Sequence, residues 1–408
     1  MNDTLPTQHG ANLPAGRRAV RLLRLLTPRD PRPSEREWRR IGVAMTAGDP
    51  PADALIAWMV GLGMGPARAL FERALDQGID AVPDAPEPLR RFFAAAEAPP
   101  PWLDRARLER GGEICRLVGN ASADVLRDGA LMGGYQAAGL NRVLVITGAL
   151  EKGAGKRLAE TSQWWLACTE AGGMDRFGEG FKQSLRVRMV HALVRRHVSR
   201  HPAWDAARDG VPVAQMGMAA TQLAFSALFL IGIRTLGYLV SRAEGDAVMH
   251  LMRYAGWLMG IDEDLLPDDE GTGRTLLYQM GLSLTDPDAA GARLAQALAD
   301  EPLGRPYPRF ARLRRFYARE RNLSLNRFFM GAAGMKALGL PWRPLPWFPM
   351  IAFPVNTVRF LWGTRSAAAR TRMAERGRKA QHRWVDELVG RSRHEIGGAI
   401  RHITEAAP

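Results

Sequence analysis

The chain has 408 residues, 46% of them hydrophobic, and 56 Lys and Arg residues against 42 Asp and Glu residues give a formal charge of +14. This length allows one large domain or two smaller ones, and the apolar content excludes wholesale disorder. The charge comes mostly from arginine, but zinc-finger spacing, a Gly-rich phosphate loop and an aromatic-basic RNA signature are all absent, so we predict no nucleic-acid partner.

Residues 1–33 are basic, polar and interrupted by proline, and they predict a flexible N-terminal arm. The run 19–26 within it predicts one or two helical turns packed on the core. Arg17 and Arg18 do not predict an export signal, because no long apolar segment follows them. We therefore expect a cytoplasmic protein without a signal peptide.

From Ser34 to about residue 340, amphipathic stretches predict one all-α domain. Ser34 followed by Glu37 predicts a capped helix start, and Asp104 predicts the N-cap of a helix that runs to about Asn120. Further helices are predicted at 51–62, 65–77 and 87–96. The β-branched run 139–150 has strand propensity, but its helical neighbours favour a helix.

The most apolar stretch, residues 216–240, is interrupted by polar side chains, and its uninterrupted part is shorter than the ~20 residues of a membrane span. We predict a buried core helix. Cys115 and Cys168 are too few for a disulfide framework and predict buried thiols. The acidic cluster 262–270 lacks the spacing of an EF-hand loop and predicts a solvated turn.

Residues 186–197 contain no Gly or Pro and predict a helix in which His191 shares a face with Val187, Arg188, Val194 and Arg195. Haem fits such a face, because its iron binds an imidazole, its ring contacts apolar groups and its propionates pair with guanidinium groups. On spacing alone, a solvated basic helix with one incidental histidine is the commoner explanation.

A second stretch upstream favours the haem-binding interpretation of His191 over the solvated helix. Arg157 and Thr161 lie four residues apart, so they share a face of a predicted helix. The ordered set Arg157-x-x-x-Thr161, Arg188-x-x-His191, 212–215 and 254–262 resembles the latex-clearing-protein and MpaB-like oxygenase family of b-type haem proteins. The resemblance is strongest over residues 105–270.

This resemblance implies an all-α multi-helix bundle that encloses a haem and substrate pocket. It implies haem b as the cofactor, and O2 and an apolar, lipid-like or isoprenoid molecule as substrates, with a redox partner that the sequence does not identify. The implied assignments are His191 as the proximal iron ligand, Arg188 and Arg195 as propionate partners, Thr221 as a pocket residue, and Arg157, Glu160 and Thr161 as the distal, oxygen-handling group.

One position departs from the family. Glu160 stands where latex-clearing relatives can have a lysine that caps the distal position, and a carboxylate there suggests a proton shuttle or a distal gate. This difference favours the wider MpaB-like group over rubber cleavage. His250 is an alternative iron ligand, although a packed or surface histidine explains it as well.

The remaining residues, 341–408, are predicted to form a Pro/Trp connector followed by a basic amphipathic helix over 355–393. Such a helix suits either docking on the protein itself or peripheral contact with an anionic membrane. The alternative function is therefore a non-catalytic membrane-surface or lipid-binding protein that retains the helical fold.

Overall fold

A computed structural model describes residues 5–27, 30–148, 154–307 and 309–389. The prediction of an all-α protein is confirmed, because these ranges contain no β-strand and only one isolated bridge, between Ala137 and Asp286. The α-helices are α1 (Leu13–Ala19), α2 (Arg21–Leu25), α3 (Glu35–Ala44), α4 (Pro50–Leu62), α5 (Met64–Gln77), α6 (Glu87–Glu97), α7 (Arg105–Leu117), α8 (Ala121–Asp124), α9 (Met132–Gly134), α10 (Ala138–Ile146), α11 (Ala154–Thr169), α12 (Glu179–Ser199), α13 (Ala206–Asp209), α14 (Gln215–Leu223), α15 (Phe229–Thr235), α16 (Arg242–Leu258), α17 (Glu270–Leu284), α18 (Ala289–Asp300), α19 (Ala311–Ala337), α20 (Trp347–Thr364) and α21 (Ala367–Val389).

Two π-helical segments join neighbouring α-helices. Val125–Leu131 joins α8 to α9, and Ala224–Leu228 joins α14 to α15. Three short 3-10 turns lie at Ile79–Ala81, Glu263–Leu265 and Glu301–Gly304. Helix α19 has a kink at Gly331, whose φ of 67° is unsuited to a helix and is readily adopted by glycine.

The predicted caps and helices agree with the structure. The Ser34 side chain accepts a hydrogen bond from the Glu37 amide, and the Glu37 carboxylate accepts one from the Ser34 amide, which makes a capping box at the start of α3. The Asp104 side chain caps α7 with a single hydrogen bond, which it accepts from the Arg107 amide. The β-branched run is helical as predicted, in α10, although residues 149 and 150 lie outside the described ranges.

The core is built on close crossings of long helices. Helix α7 lies against α16, and Gly111 permits this contact, because a Cβ there would collide with the Ala247 carbonyl group. Helix α12 packs on α4, α11 and α16. The predicted thiols, Cys115 and Cys168, are both buried and free in this core.

The predicted flexible arm is not observed over residues 5–27. The Gln8 amide donates to Asp286 at 2.9 Å, and Val20 is buried against Tyr278 and Leu282 of α17. Ala15 and Gly16 of α1 are buried, as is Val20 between the two helices, while the arginines of both helices are exposed. Composition alone therefore suggested an arm, whereas a few small and apolar residues pack this segment on the core. Residues 1–4 and 28–29 lie outside the described ranges.

The C-terminal prediction also needs a correction. Helix α20 begins at Trp347, within the predicted connector, and the predicted single helix is divided between α20 and α21 near Ser366. Helix α21 packs on α7 and α11, and its buried Gln381 donates to the Cys115 carbonyl at 2.8 Å. The docked alternative is therefore confirmed for α21, and residues 390–393 lie outside the description.

One continuous stretch in the described ranges, Gln215–Thr235, has the length and apolar composition of a membrane span. It comprises α14, the second π-helical segment and α15, and 61% of its apolar window is buried within the protein. This burial agrees with the predicted core helix.

Candidate functional site: an apolar cavity at His191

A cavity of about 1270 Å³ lies between α11, α12, the stretch Gln215–Thr235 and α17. Ligand pockets commonly have volumes of roughly 300–1,000 Å³, so this cavity is somewhat larger than a typical site for one small molecule. Apolar side chains dominate its walls, among them Val187, Val190, Val194, Leu140, Val143, Leu144, Phe225, Leu228, Ile231, Leu277, Met280 and Leu284.

Both π-helical segments form part of this wall. Residues of Val125–Leu131 and of Ala224–Leu228 line the cavity, and the two segments contact each other. A π-helical turn holds one more residue than an α-helical turn, and such segments occur frequently at functional sites. Hydrophobic periodicity carries no signal for π-helical segments, so the sequence did not predict this part of the wall.

His191 projects from α12 into the cavity wall. Its Nδ1 atom is buried and has no hydrogen-bond partner among the described residues. Burial, followed by the positive charge of Arg195, lowers the pKa of His191 to about 4. The imidazole is therefore neutral near pH 7 and retains the nitrogen lone pair that a metal ligand needs.

The valines and arginines near His191 lie on different sides of α12. At about 100° per residue, Val187 and Val194 are displaced by about 40–60° to one side of His191, and Arg188 and Arg195 by similar angles to the other. The valine side faces the cavity, whereas neither arginine lines it. The four side chains predicted to share one face with His191 therefore lie on two different sides of α12, and only the valine side faces the cavity.

The two predicted propionate partners instead bind carboxylates of the segment that starts α4. Arg188 forms a buried bidentate ion pair with Asp49, through Nε at 2.6 Å and Nη2 at 2.8 Å. Arg195 donates to Asp53 at 2.8 Å and to the Val213 carbonyl at 2.5 Å. The structure therefore does not bring Arg188 or Arg195 to the cavity, and the predicted propionate contacts are corrected.

The other predicted site residues do line the cavity. Arg157, Glu160, Thr161 and Thr221 all belong to its wall, on α11 and α14. Thr161 and Thr221 are exposed although their helices are largely buried, because the cavity surface provides the exposure. The Thr221 hydroxyl donates to the Gly217 carbonyl at 2.9 Å, so its proton is used within its own helix.

Arg157 differs from the other arginine in this part of the wall. Arg127 is buried and paired with Asp128 and Glu301, whereas Arg157 is half-buried and has no ion pair within the described ranges. Burial raises the pKa of nearby Tyr135, and the charge of Arg157 opposes this effect. Arg157 is thus a cavity cation without an ion-pair partner in the part of the chain that the structure describes.

An aromatic group covers one side of the cavity. Trp164 meets Phe225 edge to face at 5.1 Å, and Trp165 stacks on the same ring at 5.9 Å. The Trp164 indole donates to Ser184 at 3.1 Å, which fixes its ring. The sequence contained a signal for these rings, because they lie seven and eight residues after Arg157, on the same face of α11.

The cavity opens between α2 and the end of α19. Leu22, Leu26, Lys336 and Ala337 line it and are exposed, and Leu22 has 62% of its surface exposed. Arg18 of α1 is a second exposed cation at this opening. An apolar rim with a few cations suits the entry of an apolar molecule.

The alternative ligand, His250, is not at the cavity. Its Nε2 accepts a hydrogen bond from the Asp104 amide at 3.0 Å, and its ring meets Trp102 edge to face at 5.7 Å. The interpretation of His250 as a packed histidine is therefore confirmed.

The sequence matches the family described as "ER-bound oxygenase mpaB/B'/Rubber oxygenase, catalytic domain" over residues 123–362, more than half of the chain. The chain belongs to this family. The match begins in α8, just before the first π-helical segment, and ends in α20, so it includes every predicted site residue. It starts later than the expected range 105–270 and extends further toward the C-terminus. The predicted resemblance is confirmed.

The chain is also similar to one curated protein in sequence and to one solved structure in fold. It is 25% identical over 230 residues to the rubber oxygenase of Streptomyces sp. (strain K30), covering 54% of each chain, so it spans about half the length of that relative. Its fold is similar to "Structure of Latex Clearing Protein LCP in the closed state", with a TM-score of 0.65, 19% identity and coverage of 86% of this chain and 93% of that one.

The residues at the cavity fit a haem. The described ranges contain no group of three His, Cys, Asp or Glu side chains able to hold a metal ion. His191 thus has no second metal-binding side chain of these types grouped with it in the described ranges, and a haem iron needs only one such protein ligand. A neutral imidazole, with an orphaned buried nitrogen and an apolar cavity beside it, meets this requirement.

Proposed function

We propose that this protein is a haem-b-dependent oxygenase that uses O2 to oxidise an apolar, lipid-like or isoprenoid substrate. The observation that carries the proposal is His191, a neutral histidine in the wall of a large apolar cavity, in a chain of the MpaB and rubber-oxygenase family. When bound, haem would supply the redox chemistry for O2 activation.

His191 would hold the cofactor from α12, and the valines beside it would contact the ring. The propionates need other cations, because Arg188 and Arg195 are paired with Asp49 and Asp53. Lys336 and Arg18 are exposed cations that line the cavity, so they are the proposed propionate partners.

Arg157, Glu160 and Thr161 would form the oxygen-handling group. They are polar side chains of one helix, α11, at the surface of an otherwise mainly apolar cavity. A guanidinium group whose charge is not already balanced can stabilise developing negative charge in a dry site. Glu160 is the proposed proton shuttle or distal gate, and Thr161 contributes a hydroxyl that can both donate and accept hydrogen bonds.

The substrate would enter through the opening between α2 and α19 and lie along the valine and aromatic walls. Its chemistry is inferred from these walls, which offer few hydrogen-bonding groups to select a polar molecule.

The visible absorption spectrum tests the proposal. We expect the protein, purified after haem supplementation, to show a Soret band that is lost or shifted in His191→Ala. The matched control is His250→Gln, which removes a histidine outside the cavity and should leave the spectrum unchanged.

A colourless wild-type protein that cannot take up haem would remove the cofactor from the proposal. A Soret band that His191→Ala leaves unaltered would move the ligand elsewhere.

The non-catalytic alternative is distinguished by oxygen uptake. A haem-loaded protein that consumes O2 with apolar substrates, and loses that activity in Arg157→Ala at an unchanged haem content, supports the oxygenase. A protein that binds apolar molecules without oxygen consumption supports the alternative.

A further inference from the structure

Helix α20 carries its apolar residues on the solvent side. Ile351, Val358 and Trp362 have 58%, 56% and 63% of their surfaces exposed, and Met350 and Leu361 are similarly exposed. Their spacing follows the helical period, so they form one continuous stripe. A helix on a water-facing surface normally has the reverse arrangement.

The inward side of α20 is the side with polar contacts. The Asn356 amide donates to the Leu236 carbonyl at 2.9 Å, and the Thr357 hydroxyl donates to the Gly237 carbonyl at 3.0 Å. Phe360 is buried beside them, at the edge of the Tyr238 ring. These contacts fix the rotation of the helix, so the apolar stripe cannot turn inward without leaving two buried backbone carbonyls unsatisfied.

The charge around the stripe has one sign. The sequence contains no Asp or Glu from residue 321 to residue 374. Arg359, Arg365 and Arg372 are exposed there, and none has an acidic partner within the described ranges. The guanidinium group of Arg365 instead lies over the Trp362 ring, at 4.6 Å from its centroid.

Tryptophans stand at both ends of the surface. Trp342, just before α20, has 64% of its surface exposed, and Trp362 lies in the last turn. Helix α20 has 18 residues, and at about 1.5 Å per residue it extends for roughly 27 Å. Tryptophan favours the boundary between lipid headgroups and acyl chains, where the ring is apolar and its N–H remains hydrated.

We propose that the outer face of α20, defined by Met350, Ile351, Val358, Leu361 and Trp362, docks on an anionic lipid bilayer with the helix parallel to the membrane plane. The apolar stripe enters the boundary region, and the flanking arginines contact negatively charged headgroups. The docking is peripheral, since the helix is held on the protein by its inner face.

A second copy of the chain fits this face less well. In a two-fold dimer the same patch meets itself, so the arginine rims of the two copies would be brought together with no acidic residue of the stretch 321–374 to offset them. An anionic bilayer offers the complementary charge over the whole patch.

Vesicle co-sedimentation of the full chain tests the proposal. We expect binding to vesicles of phosphatidylcholine with phosphatidylglycerol and weaker binding to phosphatidylcholine alone. The double variant Ile351→Glu/Val358→Glu should bind at least roughly tenfold more weakly, because it places charge in the boundary region. Arg365→Gln should weaken binding by roughly fivefold, the effect of about 1 kcal/mol per arginine near an anionic surface.

The matched control is Val43→Glu on α3, where an equally apolar residue has 50% of its surface exposed away from this face. It should bind like the wild type, and the thermal unfolding of all variants should match, since every changed side chain is exposed. Failure of the wild type to bind anionic vesicles, or equal loss in the control, would overturn the proposal. A dimer without vesicles that the double variant abolishes would assign the face to a second copy instead.

Discussion

The two arginines Arg157 and Arg188 were predicted to serve the same cofactor, yet they stand in opposite electrostatic settings. Arg188 and Asp49 are both buried, and each is the other's counter-ion. Arg157 is half-buried at the cavity and carries no such partner among the described residues. Substitution should therefore affect stability at one position and function at the other.

We expect Arg188→Ala to lower the free energy of unfolding by about 3–5 kcal/mol, because it leaves the Asp49 carboxylate buried without its partner. Arg157→Ala should change it by less than about 1 kcal/mol. Urea denaturation of the haem-free proteins measures both values. Similar losses in the two variants would mean that Arg157 has a structural role.

His191 should make the protein less stable in acid. Its pKa is lowered to about 4 in the folded chain from the model-compound value of 6.5, so between these values the unfolded chain binds the proton more readily. The free energy of unfolding should therefore fall as pH decreases through this window.

The measurement is the urea midpoint of the haem-free wild type and His191→Gln at about pH 7 and about pH 5. The wild type should lose more stability on acidification than the variant, which still carries the other histidines. An equal loss in both proteins would show that His191 titrates normally.

At this scale the sequence predicted the imidazole, Arg157 and Thr161 as cavity residues, because positions four apart share a helical face. It did not predict which flank of His191 would meet the cavity. That choice depends on Asp49 and Asp53, which lie far away in sequence and attract both arginines to α4.

At the scale of helices, the approach of α7 to α16 depends on one missing side chain. A Cβ at Gly111 would collide with the Ala247 carbonyl group, which cannot yield as a flexible side chain does. A Cβ at Gly61 of α4 would meet nothing within 4 Å. Gly61 is therefore a control for Gly111, since both lie in helices but only Gly111 has no space for a side chain.

We expect Gly111→Ala to cost about 1–3 kcal/mol through overpacking, and Gly61→Ala to stabilise by about 0.5–1 kcal/mol because alanine favours the helix. Thermal unfolding of both variants against the wild type checks the signs. If Gly111→Ala left the thermal stability unchanged, α7 and α16 would be able to move apart without destabilising the protein.

The helices themselves were largely predictable where local chemistry marks their ends. Ser34 and Asp104 mark the starts of α3 and α7, because their side chains accept hydrogen bonds from backbone amides of the first helical turn. The π-helical segments gave no such signal, because a local insertion in the hydrogen-bond pattern leaves composition unchanged. The direction of the apolar stripe on α20 was also hidden, since only its contacts with Leu236 and Gly237 reveal which side is inward.

On the scale of the whole molecule, cofactor binding and folding should be linked. A ligand that binds only the native cavity stabilises it by mass action, by about 2.7 kcal/mol at a free concentration of about 100 times the Kd. Haem should therefore raise the urea midpoint of the wild type. His191→Ala should show a much smaller rise, and an equal rise would indicate binding that does not use this histidine.

The predicted division into an arm, a domain and a tail did not include the packing of the terminal helices on the central ones. The described parts of both ends pack on the central helices, with α1 against α17 and α21 against α7. Composition identifies charge and proline content, but docking depends on a few small or apolar residues such as Ala15 and Val20, which are too sparse to stand out in a basic segment.

The opening of the cavity is formed by α2 and α19, which are distant in sequence and are therefore synthesised at different times. Leu22 and Leu26 form one side and the end of α19 forms the other, while Gln8 is fixed by Asp286. During synthesis the N-terminal helical pair must wait for α17 to emerge before it can dock, and the rim is completed only after α19 follows. Because α12 precedes α17 and α19 in the chain, His191 is synthesised well before the rim of its cavity can be complete.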